Sequence, residues 1–101
     1  MKSKRTIACS ISPETRRMVE ERDEHRCVFC GSSNCRGEAH YIRRSQGGLG
    51  IPENLLCVCR SCHYQLDEGQ AKELYRAKAE EYLKSKYPDW DRSKLVYDKW
   101  R

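Results

Sequence analysis

A small α+β domain held together by a metal ion is the fold the sequence predicts, and three features predict it. Two Cys-x-x-Cys pairs, Cys27-Val28-Phe29-Cys30 and Cys59-Arg60-Ser61-Cys62, are separated by 28 residues (31–58). Between them lie a short stretch that reads as a strand, 39–44, and an apolar one, 55–58, short enough for a second strand or a buried loop. Beyond them Ala71, Leu74, Tyr75, Ala79, Tyr82, Leu83 and Tyr87 recur at intervals of three and four, the period of a long amphipathic helix. At 101 residues, 38% hydrophobic and 35% charged, the chain has room for one domain with a thin core. That domain divides into a basic lead (1–11), a metal-stapled centre (27–67) and a C-terminal helix with its tail (70–101).

Taken in order, the basic lead has no apolar pattern and is expected to fray. Ser12-Pro13-Glu14 is a helix start: Ser12 can cap free amides, Pro13 lacks only an N–H that the first turn leaves unbonded, and Glu14 faces the positive end of the dipole. The helix is expected over 13–24, burying Met18 and Val19, with its Arg and Glu residues on a solvated face. His25 reads as a surface residue. Gly31-Ser32-Ser33-Asn34 is turn chemistry, and Gly47-Gly48-Leu49-Gly50 followed by Pro52 marks a loop between the strands. A short helix over 61–68 ends at Gly69, and the long helix over 70–87 ends at Pro88. Leu95, Val96, Tyr97 and Trp100 are expected to dock the tail on the domain.

Seven cysteines, an odd number, follow a start with no apolar run of signal length, which points to a reduced cytoplasmic setting where cysteine pairs bind metal. No segment approaches the roughly 18 apolar residues of a membrane span. A redox Cys-x-x-Cys follows a strand in a βαβ unit, for which this chain is too short. Cys27, Cys30, Cys59 and Cys62 are therefore expected to close a tetrahedral site around one structural Zn²⁺. Cys57 reads as a small buried side chain and Cys35 as a free thiol. The formal charge of +5 and pI near 8.9 favour an anionic partner, with nucleic acid first.

His40, Asn54 and His63 are not needed by a closed zinc site. His63 and Asp67 stand one helical turn apart, a ligand spacing for a second ion with open positions; the alternative is that Asp67 only caps or solvates the helix end. Arg43 and Arg44 are candidates to hold a phosphate; the alternative is that they are solvated arginines of a basic protein.

The succession Cys-x-x-Cys, His40-x-x-x-Arg44-Ser45-Gln46-Gly47-Gly48, Pro52-Glu53-Asn54-Leu55-Leu56, Cys-x-x-Cys-His63 resembles the HNH endonucleases, especially the zinc-stapled members encoded by phages and prophages. The resemblance covers residues 27–67. It implies a ββα-metal core and a DNA endonuclease that hydrolyses phosphodiester bonds. In it His40 is the general base, Asn54 fixes the hairpin that carries His40, and His63 is a ligand of one divalent ion, Mg²⁺ or else Mn²⁺ or Ni²⁺. DNA, and beside it other phage proteins, are the partners the resemblance implies. Many members carry Asp or His just before the base, where this chain has Ala39; Asp67 is the ligand expected to take over, since strand alternation turns Glu38 away from Ala39. The other reading is a non-cleaving, zinc-stapled nucleic-acid-binding module of the same fold.

Overall fold

The computed structural model describes residues 3–98; Trp100 lies outside them. An antiparallel hairpin organises the rest. Strand β1 (Cys35–His40) pairs with β2 (Leu55–Cys59), Cys35 opposite Cys59 and His40 opposite Leu55, with an irregularity between Arg36 and Ala39. Four of the five β2 residues are buried, as expected of a strand covered by helices. Ala39, Leu56 and Val58 pack with Leu66 of α3 (Arg60–Asp67) and with Ala79 and Leu83 of α4 (Lys72–Lys86). Helix α2 (Pro13–Arg22) packs against both strands. Its close approach requires Gly37, where an added Cβ would stand 2.9 Å from the Arg16 carbonyl oxygen.

The first strand runs over Cys35–His40 and not 39–44, because Asn54 takes over the backbone beyond it. Its Oδ1 accepts from the Ile42 amide at 2.8 Å, and its Nδ2 donates to the carbonyls of Ile42 and Leu49 at 3.2 and 2.8 Å. Arg44–Gln46 and Pro52–Asn54 form single 3₁₀ turns in the expected loop.

The N-terminal lead is also more ordered than its composition suggests. Helix α1 (Lys4–Cys9) is capped by Ser3, which accepts from the Thr6 amide at 3.1 Å. The Ala8 carbonyl accepts from Gly50 at 3.0 Å and Arg5 donates to the Ser45 carbonyl at 3.0 Å, so tertiary contacts hold a helix too short to stand alone.

Helix α2 begins at Pro13 behind the Ser12 cap and ends at Arg22, two residues early. Glu24 and His25 turn through positive φ, and His25 is exposed. Val19 is fully buried whereas Met18 is 58% exposed, so the buried stripe is narrower than expected. What the helix buries instead is charge. Arg22 makes a bidentate pair with Asp23 (2.7 and 2.9 Å) and donates to the carbonyls of Pro52 and Leu55, each at 2.8 Å, and to the Tyr87 hydroxyl at 3.1 Å. Asp23 also accepts from the Cys57 amide at 2.9 Å and from the Tyr82 hydroxyl. Burial opposes the Arg22 charge, but Asp23 and Tyr87 outweigh it and push its pKa up.

The tail returns along the loop. Leu95 is buried, its carbonyl accepts from Leu49 at 2.8 Å, and the Gly47 carbonyl accepts from Tyr97 at 2.7 Å. Trp90 meets Tyr41 edge-on and donates to the Glu53 carbonyl at 2.8 Å. Among the described residues no helix is long and apolar enough to cross a membrane.

Candidate metal centre and adjoining cleft

Each Cys-x-x-Cys pair is shaped by local backbone bonding. In the first, the Cys27 carbonyl accepts from Gly31 at 2.9 Å and the Cys27 amide donates to the Ser32 carbonyl at 2.8 Å. Gly31 has φ +78°, the left-handed conformation that glycine adopts without penalty. The Val28 amide donates to the Cys57 carbonyl at 3.0 Å and so fastens this knuckle to β2. In the second, Cys59 ends β2 and caps α3, its Sγ accepting from the Cys62 amide at 3.5 Å.

The four Sγ atoms of Cys27, Cys30, Cys59 and Cys62 all lie within 4.8 Å of one another, and those of Cys30 and Cys59 are 3.6 Å apart. Four thiolates about 2.3 Å from a tetrahedral ion stand about 3.8 Å from each other, so the donor set fits one metal ion. Burial would raise the Cys27 thiol, but hydrogen bonds from the Cys30, Cys59 and Phe29 amides outweigh it and bring the thiol to about 7. Burial, then the neighbouring sulfurs, pushes Cys62 up. The amide hydrogen bonds favour the Cys27 thiolate, and a bound cation would offset the burial and crowding of sulfurs that raise Cys62.

Beside it an open cleft of about 620 Å³ gathers His40 from the end of β1, Arg43 and Arg44 from the loop, and His63 and Asp67 from α3. His40 is 8% exposed, and its Nε2 lies 3.0 Å from the Cys9 carbonyl oxygen. A carbonyl only accepts, so Nε2 carries the proton and Nδ1 the lone pair. Burial lowers the His40 pKa; Arg44 and His63 lower it further, against the Cys9 carbonyl and Asp67. The imidazole is therefore neutral at pH 7.

Asp67 is held by two protein side chains. Its Oδ2 is 3.1 Å from His63 Nε2, and its Oδ1 is 3.9 Å from Arg43 Nε and has no hydrogen-bond partner. Arg43 also donates to the Asp67 carbonyl. Of the two arginines expected on a phosphate, then, Arg43 is committed to α3 and Arg44 is exposed at the rim, 3.4 Å from Ser10 Oγ. Among the described residues the cysteine quartet is the one group of three or more metal-ligating side chains, so His63 and Asp67 have no third such ligand.

Ala39 is fully buried in the hydrophobic core and absent from the cleft wall, so a ligand at that position would enter the core. Glu38 does line the cleft, 3.5 Å from Arg16, a residue the sequence reading set aside. The signal was available, because strand alternation puts positions 38 and 40 on one face. Ser10 and Ile11 also line it, brought there by the ordering of the N-terminal lead, whose residues carry no periodic signal.

No protein-family model matches the chain. No solved structure matches it either. Among curated proteins, anaredoxin from Nostoc sp. is 27% identical over 60 residues, covering 58% of this chain and 79% of that protein. A relative named as a redoxin points away from phosphodiester hydrolysis. It overturns the assignment of the chain as an endonuclease and a hydrolase, with His40 as general base and Mg²⁺ as the catalytic ion, and leaves a small α+β protein with a cysteine quartet able to bind metal.

Proposed function

We propose that the chain is a metal-stapled domain that docks the phosphate backbone of DNA in the cleft beside the metal centre. The observation that carries this reading is the convergence of His40, Arg44 and His63 from three separate segments on one open cleft, in a chain with a net charge of +5. Arg44 supplies an exposed guanidinium for a phosphate oxygen and His63 a half-exposed imidazole, while Arg43 and Asp67 fix α3 at the cleft's edge. Zn²⁺ is the ion in the quartet, because a closed four-sulfur sphere suits a structural metal that leaves no position for substrate. The succession β1, β2, α3 resembles the ββα core of the HNH fold, and in this reading the fold serves binding alone.

The test uses the three histidines. Adding a DNA duplex to zinc-loaded protein should shift the imidazole NMR signals of His40 and His63 and leave that of His25, which is not in the cleft. Binding that leaves His40 and His63 unmoved would place DNA elsewhere and remove the cleft from the reading.

The similarity to anaredoxin favours a second reading, in which the quartet holds iron and carries one electron. The exposed Cys30 would give that electron a short route to a partner. Metal analysis separates the two: iron in the native protein, with visible absorption that bleaches on reduction, selects the second, and colourless zinc selects the first.

A further inference from the structure

Two cysteines outside the metal quartet meet inside the fold. Cys35 Sγ on β1 and Cys57 Sγ on β2 are 2.8 Å apart. Cys57 is fully buried, whereas Cys35 is half-buried and lines an open pocket with Arg36 and His63, so Cys35 is the one of the two that a small molecule can approach. Both sit on a hairpin fixed from outside: the Cys57 amide is held by Asp23, the Cys57 carbonyl by Val28, and Cys35 stands in register with Cys59. A disulfide needs about 2.0 Å between sulfurs, so closure asks for a movement of about 0.8 Å. Two thiols that served packing alone would need no such approach across the strands.

We propose that Cys35 and Cys57 form a reversible disulfide, made by exchange with a low-molecular-weight disulfide, that clips β1 to β2 beside the metal centre. The accessible Cys35 thiol gives up its proton to solvent and its sulfur attacks one sulfur of the small disulfide. The small disulfide's S–S bond breaks, one of its halves leaves as a thiol, and Cys35 carries the other as a mixed disulfide. Cys57 then gives up its proton and attacks the Cys35 sulfur, expelling the second half as thiol. The two cysteines are oxidised by two electrons and the small disulfide is reduced by two. An excess of small thiol reverses both steps. The clip goes beyond the DNA-docking reading and does not depend on it.

The experiment treats zinc-loaded full-length protein with oxidised glutathione, blocks the remaining thiols by alkylation and measures the mass. Trypsin leaves Cys27, Cys30 and Cys35 on one peptide and Cys57 and Cys59 on another, so fragmentation must assign the bond. The expected result is loss of two hydrogens, a Cys35–Cys57 bond, retained zinc and full reversal by dithiothreitol. Cys57→Ser should stop at the first step, with one glutathione on Cys35, and Cys35→Ser should leave Cys57 reduced. Each variant's circular dichroism and zinc content show that it is folded. A wild type that forms no Cys35–Cys57 bond while keeping its zinc, or that oxidises only by expelling zinc and pairing quartet cysteines, would overturn the proposal.

Discussion

Replacing Asp23 by Ala removes the partner of a buried charge and so tests what holds α2 to the hairpin. The Asp23 side chain is fully buried and accepts from Arg22 Nε, Arg22 Nη2, the Cys57 amide and the Tyr82 hydroxyl. Arg22 keeps Pro52, Leu55 and Tyr87 after the change, but none of these carries a full negative charge. Breaking a buried ion pair from one side costs about 3–5 kcal/mol. The buried Cys57 amide left without a partner adds about 1–3 kcal/mol. Together these come to about 4–8 kcal/mol, a large part of the roughly 5–15 kcal/mol of a small domain. Urea unfolding followed by circular dichroism, with zinc held saturating because a bound metal shifts the apparent stability, measures it. Tyr82→Phe keeps the ring and removes one bond, and is expected to cost about 1 kcal/mol. If Asp23→Ala unfolds within about 1 kcal/mol of wild type, the pair is not the anchor described here.

Other outcomes follow from the same geometry. Cys27→Ser, or a strong chelator on wild type, should remove the metal and abolish cooperative unfolding, since ion binding of about 10–16 kcal/mol stands behind comparable structural zinc sites; metal analysis with a thermal melt checks it. Asn54→Ala should leave the Ile42 amide and carbonyl unpaired, at about 1–3 kcal/mol for each buried group, and speed amide exchange over 41–54. His40, held neutral by burial, has a folded pKa below its unfolded value of about 6.5, so the unfolded chain binds more protons between the two. Its stabilising effect is therefore present above pH 6.5 and lost as pH falls toward the folded value; His40→Gln should flatten the fall in melting temperature between pH 7 and 5.

What was legible in the sequence is what depends on short-range spacing. The two Cys-x-x-Cys pairs, the Ser12-Pro13 start of α2 and the residues His40, His63 and Asp67 were each visible in a few consecutive positions. What was missed depends on contacts between distant segments. Arg22 and Asp23 sit in a helix rich in charge and look solvated, and their burial comes from residues 30 to 65 positions away. The meeting of Cys35 with Cys57 requires the hairpin register and its irregularity, which no local pattern encodes. Glu38 was misplaced because its orientation was judged against Ala39 and not against His40. The chemistry assigned to His40 came from family resemblance alone, and it is there that the similarity to anaredoxin corrected it.

The cleft is the centre of the account, and the salt dependence of DNA binding by Arg44→Ala tests it most directly. Each phosphate neutralised by an arginine contributes about 0.9 to the slope of log K against log salt. Fluorescence anisotropy of a labelled duplex titrated with zinc-loaded wild type and Arg44→Ala, between low and physiological salt, yields both slopes. A cleft that docks DNA gives weaker binding and a slope shallower by about 0.9 in the variant. Equal slopes and equal affinities, with both proteins folded and zinc-loaded, would contradict it.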